Sequence, residues 1–259
     1  DKIIADVVII STGVMPNSAI AKECGLECGP RGHIKVNKFL QTSDINIYAA
    51  GDVIELDEHS PYSFAAVPLA GPANKQGRIA ANNIAGGRSF YKDSFGTSVV
   101  KVGHLTAASV GMTEATLLRD GKKFHKLYLH PASNASYYPG GNRMTLKLLF
   151  GDDGTIFGAQ IVGGKGVDKR IDVLATAIHA NLKATQLKDL DLAYAPPYSS
   201  AKDPVNMAGY MIDNIANGTL KQWFMEDLPS LPKDGSVTLL DTRTPGEYNR
   251  GHIDGFINI

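Results

Sequence analysis

Cysteine is scarce in this 259-residue chain, which has only Cys24 and Cys28. They stand in Glu23-Cys24-Gly25-Leu26-Glu27-Cys28-Gly29, with no second pair and no histidine cluster nearby to complete a four-ligand site. No metal is expected, and both thiols read as structural or incidental. An excess of either charge is also lacking. Lys plus Arg and Asp plus Glu both number 26, so no basic field draws nucleic acid or an anionic membrane to the surface. No apolar run approaches the roughly 20 residues of a membrane-spanning helix, and the amino terminus shows no signal pattern. The expectation is a cytoplasmic protein without nucleic-acid or membrane partners. A complete nucleotide fingerprint is missing as well. Gly163-Gly164-Lys165-Gly166 lies between strand and helix signals, but Lys169 stands where the third glycine belongs. It reads as a flexible turn.

What is present is enough to fold. Hydrophobic residues make up 43% and charged residues 20% of the chain, the balance of a protein that buries one or two cores. Strand signals at Val7 to Ile10, Ile34 to Val36 and Ile45 to Ala50 alternate with a short helical stretch at Ser18 to Cys24. From Pro72, residues Ala73, Gly77, Ala80, Ala81 and Ile84 put a small, apolar face on a helix that Gly86-Gly87 closes. Extended runs follow at 98–102, 105–110, 124–130, 144–150 and 155–162, the last two joined by the hairpin turn Gly151-Asp152-Asp153-Gly154. Val167, Ile171, Leu174 and Ile178 then form the stripe of a helix lying on a sheet. A helix-like stretch from Val205 to Ala216 stops at Asn217-Gly218. Residues 220–235 read as a linker, and Val237 to Leu240 starts another unit. The apolar openings at both ends, Val7 to Ile10 and Phe256 to Ile259, are those expected of a piece of a longer polypeptide.

Three small motifs point to a ligand. Gly51-Asp52 is expected just past a strand, where glycine permits close approach and the carboxylate can accept a sugar-alcohol hydroxyl. Pro68-Leu69-Ala70-Gly71-Pro72 opens a helix whose first N–H groups are free to hold partial negative charge. Thr12-Gly13 followed by Pro16 is a strand, a glycine and a fixed turn where backbone can meet a dinucleotide. In this order, with Gly32 to Asn37 and Gln41-Thr42-Ser43 between them, the run resembles the carboxyl-terminal part of the FAD domain in pyridine nucleotide-disulfide oxidoreductases. The resemblance implies FAD contacts at Thr12, Gly13, Gly51, Asp52, Pro68, Leu69 and Ala70.

Two tyrosine-bearing loops extend that resemblance. Ser136-Tyr137-Tyr138-Pro139-Gly140 precedes a strand, and Leu192-Ala193-Tyr194-Ala195-Pro196-Pro197-Tyr198 precedes a helix. Loop tyrosines commonly just cover a core edge. Both loops, however, are similar to those of the dimerisation domain in the branch holding coenzyme A-disulfide reductases, persulfide reductases and NADH oxidases. There, tyrosines of one subunit reach the other's active site and stabilise or protonate a departing thiolate. The resemblance places that role on Tyr137 or Tyr138 and on Tyr194 or Tyr198, and it implies a homodimer. Finally, Leu239 to Tyr248 and Gly251-His252-Ile253-Asp254-Gly255 resemble the opening of a rhodanese domain. The sulfur-carrying cysteine of such a domain is not among these residues, so His252 reads as structural.

The expected fold is α/β and α+β. Residues 1–95 would be the last segment of a Rossmann-like FAD domain, 96–219 an α+β dimerisation domain, 220–235 a linker and 236–259 the truncated start of an α/β rhodanese domain. By resemblance the parent protein uses NADH or NADPH to reduce FAD. Electrons would then pass to a single redox cysteine outside this chain that attacks coenzyme A disulfide or a persulfide. Two alternatives stand beside this reading: an oxygen-reducing NADH oxidase on the same fold, and an isolated dimerisation module without activity.

Overall fold

The computed structural model describes residues 3–232 and 234–259. The chain divides into two compact units between residues 213 and 214.

The first unit opens with α1 (Ala19–Glu23), whose entry is fixed by the buried Ser18 hydroxyl donating to the Gly32 carbonyl. Strands β1 (Ile34–Val36) and β2 (Ile54–Leu56) pair in parallel, Ile34 opposite Ile54 and Val36 opposite Leu56. Val36, Ile54 and Leu56 enter one core with Leu40, Ala80 and Tyr91. Helix α2 (Ala70–Ile84) covers that core and ends as expected, its Ala85 cap followed by Gly86 at φ 89°. Pro72 sits third in the helix, within the first turn, where a missing N–H costs nothing.

Two expected strands are not formed. Val7, Val8, Ile9 and Ile10 are 75–86% exposed and pair with no strand among the described residues; extended chain without a neighbour has no ladder. Residues 45–50 instead fold back on Gln41, with the Gln41–Tyr48 bridge and the Ala49 N–H on the Leu40 carbonyl, and Ile45 is left exposed. The strand in this region is β2, which begins after Gly51-Asp52. That turn therefore precedes a strand instead of ending one.

Beyond it, β3 (Ser98–Val102), β4 (Leu105–Gly111), α3 (Glu114–Arg119), β5 (His125–Leu129), β6 (Met144–Phe150) and β7 (Ile156–Gly163) build a five-stranded antiparallel sheet in the order β3-β4-β7-β6-β5. The β6–β7 turn is the expected one: the Gly151 N–H meets the Thr155 carbonyl, and Gly154 takes φ 77°. Helix α4 (Val167–His179) lies on the sheet through Val167, Ile171, Leu174 and Ile178, all buried among Leu146, Leu148, Ala159 and Ile161. Each such side chain contributes roughly 1.5–3 kcal/mol through burial. Helix α5 (Pro204–Ala216) adds Val205, Ala208 and Ile212 to the same core.

In the second unit a short 3-10 turn (Met225–Ser230) precedes β8 (Leu240–Asp241), α6 (Pro245–Arg250) and β9 (Ile257–Asn258), with β8 and β9 parallel. A reciprocal Thr244–Glu247 capping box starts α6. Arg243 binds Asp241 at 2.6 Å and the Gly251 carbonyl at 2.9 Å. His252 stacks on the Tyr248 ring, centroids 3.8 Å apart, and its Nδ1 meets the Tyr248 carbonyl.

Candidate functional site

Two regions of the first unit hold the residues singled out in the sequence. In the first, Gly51 adopts φ 89°, a left-handed conformation that glycine takes without strain. Its N–H donates to the buried Gln76 Oε1 at 2.7 Å, which ties the turn to the second turn of α2. Asp52 is exposed, and its carboxylate has no hydrogen bond or ion pair to any described residue. Leu69 caps α2 in an extended conformation with no side-chain cap, so the first N–H groups at Ala70 and Gly71 remain free. Pro68 and Ala70 are exposed and Leu69 is half-buried. A free carboxylate and an uncapped start of a 15-residue helix can together accept a hydroxyl proton and stabilise partial negative charge. Thr12 and Gly13, the latter at φ 87°, lie in the exposed amino-terminal segment, and no hydrogen bond links them to this turn.

Gly71 and Pro72 also edge a groove of about 1260 Å³ between α2 and α4, lined by Lys75, Arg78, Arg88 and Lys92. Sequence reading gave no hint of it, because its cations come from separate segments.

The second region is where the tyrosine loops meet. The Tyr137 and Tyr194 hydroxyls are 3.1 Å apart, one donating to the other. With the Tyr194 hydroxyl donating to Tyr137, this hydrogen bond favours the protonated phenol and holds Tyr194 above its ordinary value. Tyr138 and Tyr198 do not join the pair, and their hydroxyls meet no partner among the described residues. All four rings are partly or largely exposed. The Ala135 N–H donates to the Ser199 carbonyl at 2.9 Å, so the loops are joined backbone to backbone.

Under the loops lies a group that the sequence reading missed. Arg170, 1% exposed, binds Asp203 at 2.9 Å and reaches the carbonyls of Ser133, Gly166 and Tyr198. Burial alone would push the Asp203 carboxyl up, but the Val205 N–H and the Arg170 guanidinium outweigh it and hold it below the usual carboxylate range. The turn that the sequence reads as flexible is tied down at Gly166, whose carbonyl accepts from Arg170 Nη1 at 3.1 Å. Gly166 takes φ 68°, and a Cβ there would lie 2.1 Å from Arg170 Nη1.

Cys24 and Cys28 are free thiols, and no cluster of three potential metal ligands occurs among the described residues. Among those residues no helix is long and apolar enough to cross a membrane.

Residues 1–77 match the family model for pyridine nucleotide-disulphide oxidoreductases, 97–204 that for the dimerisation domain of the same class, and 224–259 that for a rhodanese-like domain. The chain belongs to the pyridine nucleotide-disulphide oxidoreductases and carries a rhodanese-like segment on its carboxyl side. Among solved structures it resembles reduced Bacillus anthracis CoADR-RHD, at 47% identity and a TM-score of 0.90, over 98% of this chain and 46% of that one. It also resembles an NAD-dependent persulfide reductase from A. fulgidus, at 38% identity and a TM-score of 0.88, over 98% of this chain and 46% of that one. Curated relatives include an NADH oxidase of Methanocaldococcus jannaschii, 36% identical over 78% of this chain and 45% of the relative. A coenzyme A disulfide reductase of Staphylococcus haemolyticus is 36% identical over 79% of this chain and 47% of the relative. The chain thus spans about half the length of the curated relatives it matches.

Proposed function

We propose that these residues belong to an FAD-dependent reductase of coenzyme A disulfide or low-molecular-weight persulfides that uses NADH or NADPH. The thiol chemistry is assigned to a single redox cysteine elsewhere in the polypeptide. The observation that carries the reading is the Tyr137–Tyr194 hydroxyl pair. A thiol ionises near about 8.5 and a phenol near about 10, and Tyr194 is held higher still. Such a phenol serves a departing thiolate as a hydrogen-bond donor, with complete proton transfer uphill. Tyr137 and Tyr194 are therefore chosen over Tyr138 and Tyr198. Two-fold association through residues 96–219 would present the pair to the partner subunit's flavin.

The Asp52 carboxylate and the free N–H groups of Ala70 and Gly71 suit the ribityl hydroxyls and the pyrimidine end of a flavin, and Gly51 leaves the backbone open to approach. Bound there, FAD supplies the two-electron reduction of the thiol site. Thr12, Gly13, Pro68 and Leu69 complete the proposed cofactor contacts, and Arg243 and His252 order a rhodanese-like unit proposed to relay sulfane sulfur in a cytoplasmic enzyme. On its own the 259-residue piece is assigned dimerisation and no turnover.

In the flavin-loaded enzyme, replacing both Tyr137 and Tyr194 by Phe should slow NADH-dependent reduction of coenzyme A disulfide by about 100-fold while leaving flavin content unchanged. Undiminished disulfide reduction would defeat the proposal. The NADH oxidase among the relatives supports a second reading, in which oxygen is the acceptor; oxygen turnover without any disulfide or persulfide turnover would favour it.

A further inference from the structure

Arg170 is expensive where it sits. A guanidinium removed from water costs several kcal/mol unless it is paired and its donors are used, and apolar replacements of similar volume often match such a pair in stability. Here every part of the group is engaged. Nε faces Asp203 Oδ1 at 3.4 Å and Nη1 donates to the Gly166 carbonyl at 3.1 Å. Nη2 addresses Asp203 Oδ2 at 2.9 Å, Ser199 Oγ at 3.1 Å and the Ser133 and Tyr198 carbonyls, both at 3.2 Å. Asp203 is fixed in turn by the Ser199 hydroxyl at 2.8 Å and the Val205 N–H at 3.0 Å.

The partners of Nη2 come from both tyrosine loops. Ser133 lies four positions before Tyr137, and Tyr198 four positions after Tyr194. The neighbouring residue of α4 adds a third hold, with Lys169 Nζ donating to the Ala193 carbonyl, next to Tyr194, at 3.2 Å. One planar fork on the second turn of α4 thereby sets the spacing between two loops that meet in space but lie some sixty residues apart in sequence.

We propose that Arg170, oriented by Asp203 and Ser199, is a positioning residue that sets the distance between the Tyr137 and Tyr194 hydroxyls. The proposal rests on the reading of that pair as part of the reductase site. Lysine cannot take its place, because an ammonium on a flexible stem reaches one or two of these acceptors but cannot hold them in a common plane.

The test uses the 259-residue chain, without flavin or substrate. Phenolate absorbance is titrated with pH in the unaltered protein, in Arg170→Lys and in Ser199→Ala, each compared with its Tyr194→Phe counterpart so that Tyr194 is read by difference. Lys165 and Lys169, which bind the Gly140 and Ala193 carbonyls, are the same in all forms. In the unaltered protein Tyr194 should ionise above the ordinary phenol value. In Arg170→Lys it should return to that value, near about 10, with cooperative thermal unfolding retained. In Ser199→Ala it should shift the same way by less. If Arg170→Lys lowers the melting temperature but leaves Tyr194 ionisation where it was, the residue only stabilises the fold and the proposal fails. If Arg170→Lys does not fold, Ser199→Ala decides, and an unmoved Tyr194 there overturns it. Failure of the reductase reading is seen separately, as full turnover of the Tyr137→Phe, Tyr194→Phe enzyme with the Arg170 shift intact.

Discussion

Gly209→Ala sets helix propensity against packing. Gly209 lies in the middle of α5, where alanine is favoured over glycine by about 1 kcal/mol. Propensity alone therefore expects a more stable protein. At this position, however, α5 rests directly on the backbone of the 3-10 turn at Ala184–Asp189. A Cβ would lie 2.2 Å from the Lys188 nitrogen and 2.7 Å from the Leu187 carbonyl carbon. Neither is the end of a movable side chain, so helix and turn must part by about an ångström, an overpacking that costs roughly 1–3 kcal/mol. The separation also strains the hydrogen bonds from Asn206 Nδ2 to the Leu187 carbonyl at 3.1 Å and the Leu190 carbonyl at 2.9 Å, each worth about 1 kcal/mol. The sum is a net loss of about 2–4 kcal/mol, which lowers the melting temperature of a unit this size by roughly 4–16 °C. Thermal unfolding followed by far-ultraviolet circular dichroism reads this directly. A melting temperature equal to or above that of the unaltered chain would refute the reasoning. The perturbation also reaches the candidate site, because Leu190 begins the loop that carries Tyr194.

Acid should reveal the Asp203 contact. Its folded carboxyl ionises below the ordinary value, so the native state binds fewer protons than the unfolded one, and the stabilisation is complete above about pH 3.9 and lost as pH falls through the lower folded value. Denaturant midpoints measured across that range should decline toward acid, and Asp203→Asn should show a lower plateau with a flatter slope; an unchanged slope would remove Asp203 from the account. In the flavin-loaded protein, Asp52→Asn should weaken FAD binding by about 10-fold, the loss of one charged hydrogen bond, read from the quenching of flavin fluorescence on binding. Retention of full affinity would place the ribityl contact elsewhere.

How much was legible depended on whether a residue's role was set by local periodicity or by distant partners. The α4 stripe and the Gly151 to Gly154 hairpin follow from side-chain spacing and turn chemistry alone, and they formed as read. Val7 to Ile10 has an equally strong strand composition, but a strand exists only in a ladder, and no described strand pairs with it. Residues 45–50 failed differently: the Gln41 pairing closed a local return, and the true strand began after Gly51. The tyrosine loops could be picked out by resemblance, but which hydroxyls meet is a three-dimensional fact fixed by Arg170. One signal of that was present. Val167, Ile171, Leu174 and Ile178 define the buried face of α4, and position 170, three residues past Val167 and four before Leu174, belongs to the same face. An arginine there must find a buried carboxylate and several carbonyls or leave the core. Asp203, next to Pro204 at the start of α5, is the carboxylate it found. A charge on the apolar face of a helix is thus the trace that a tertiary polar centre leaves in a sequence, even when its partners are too distant to be read.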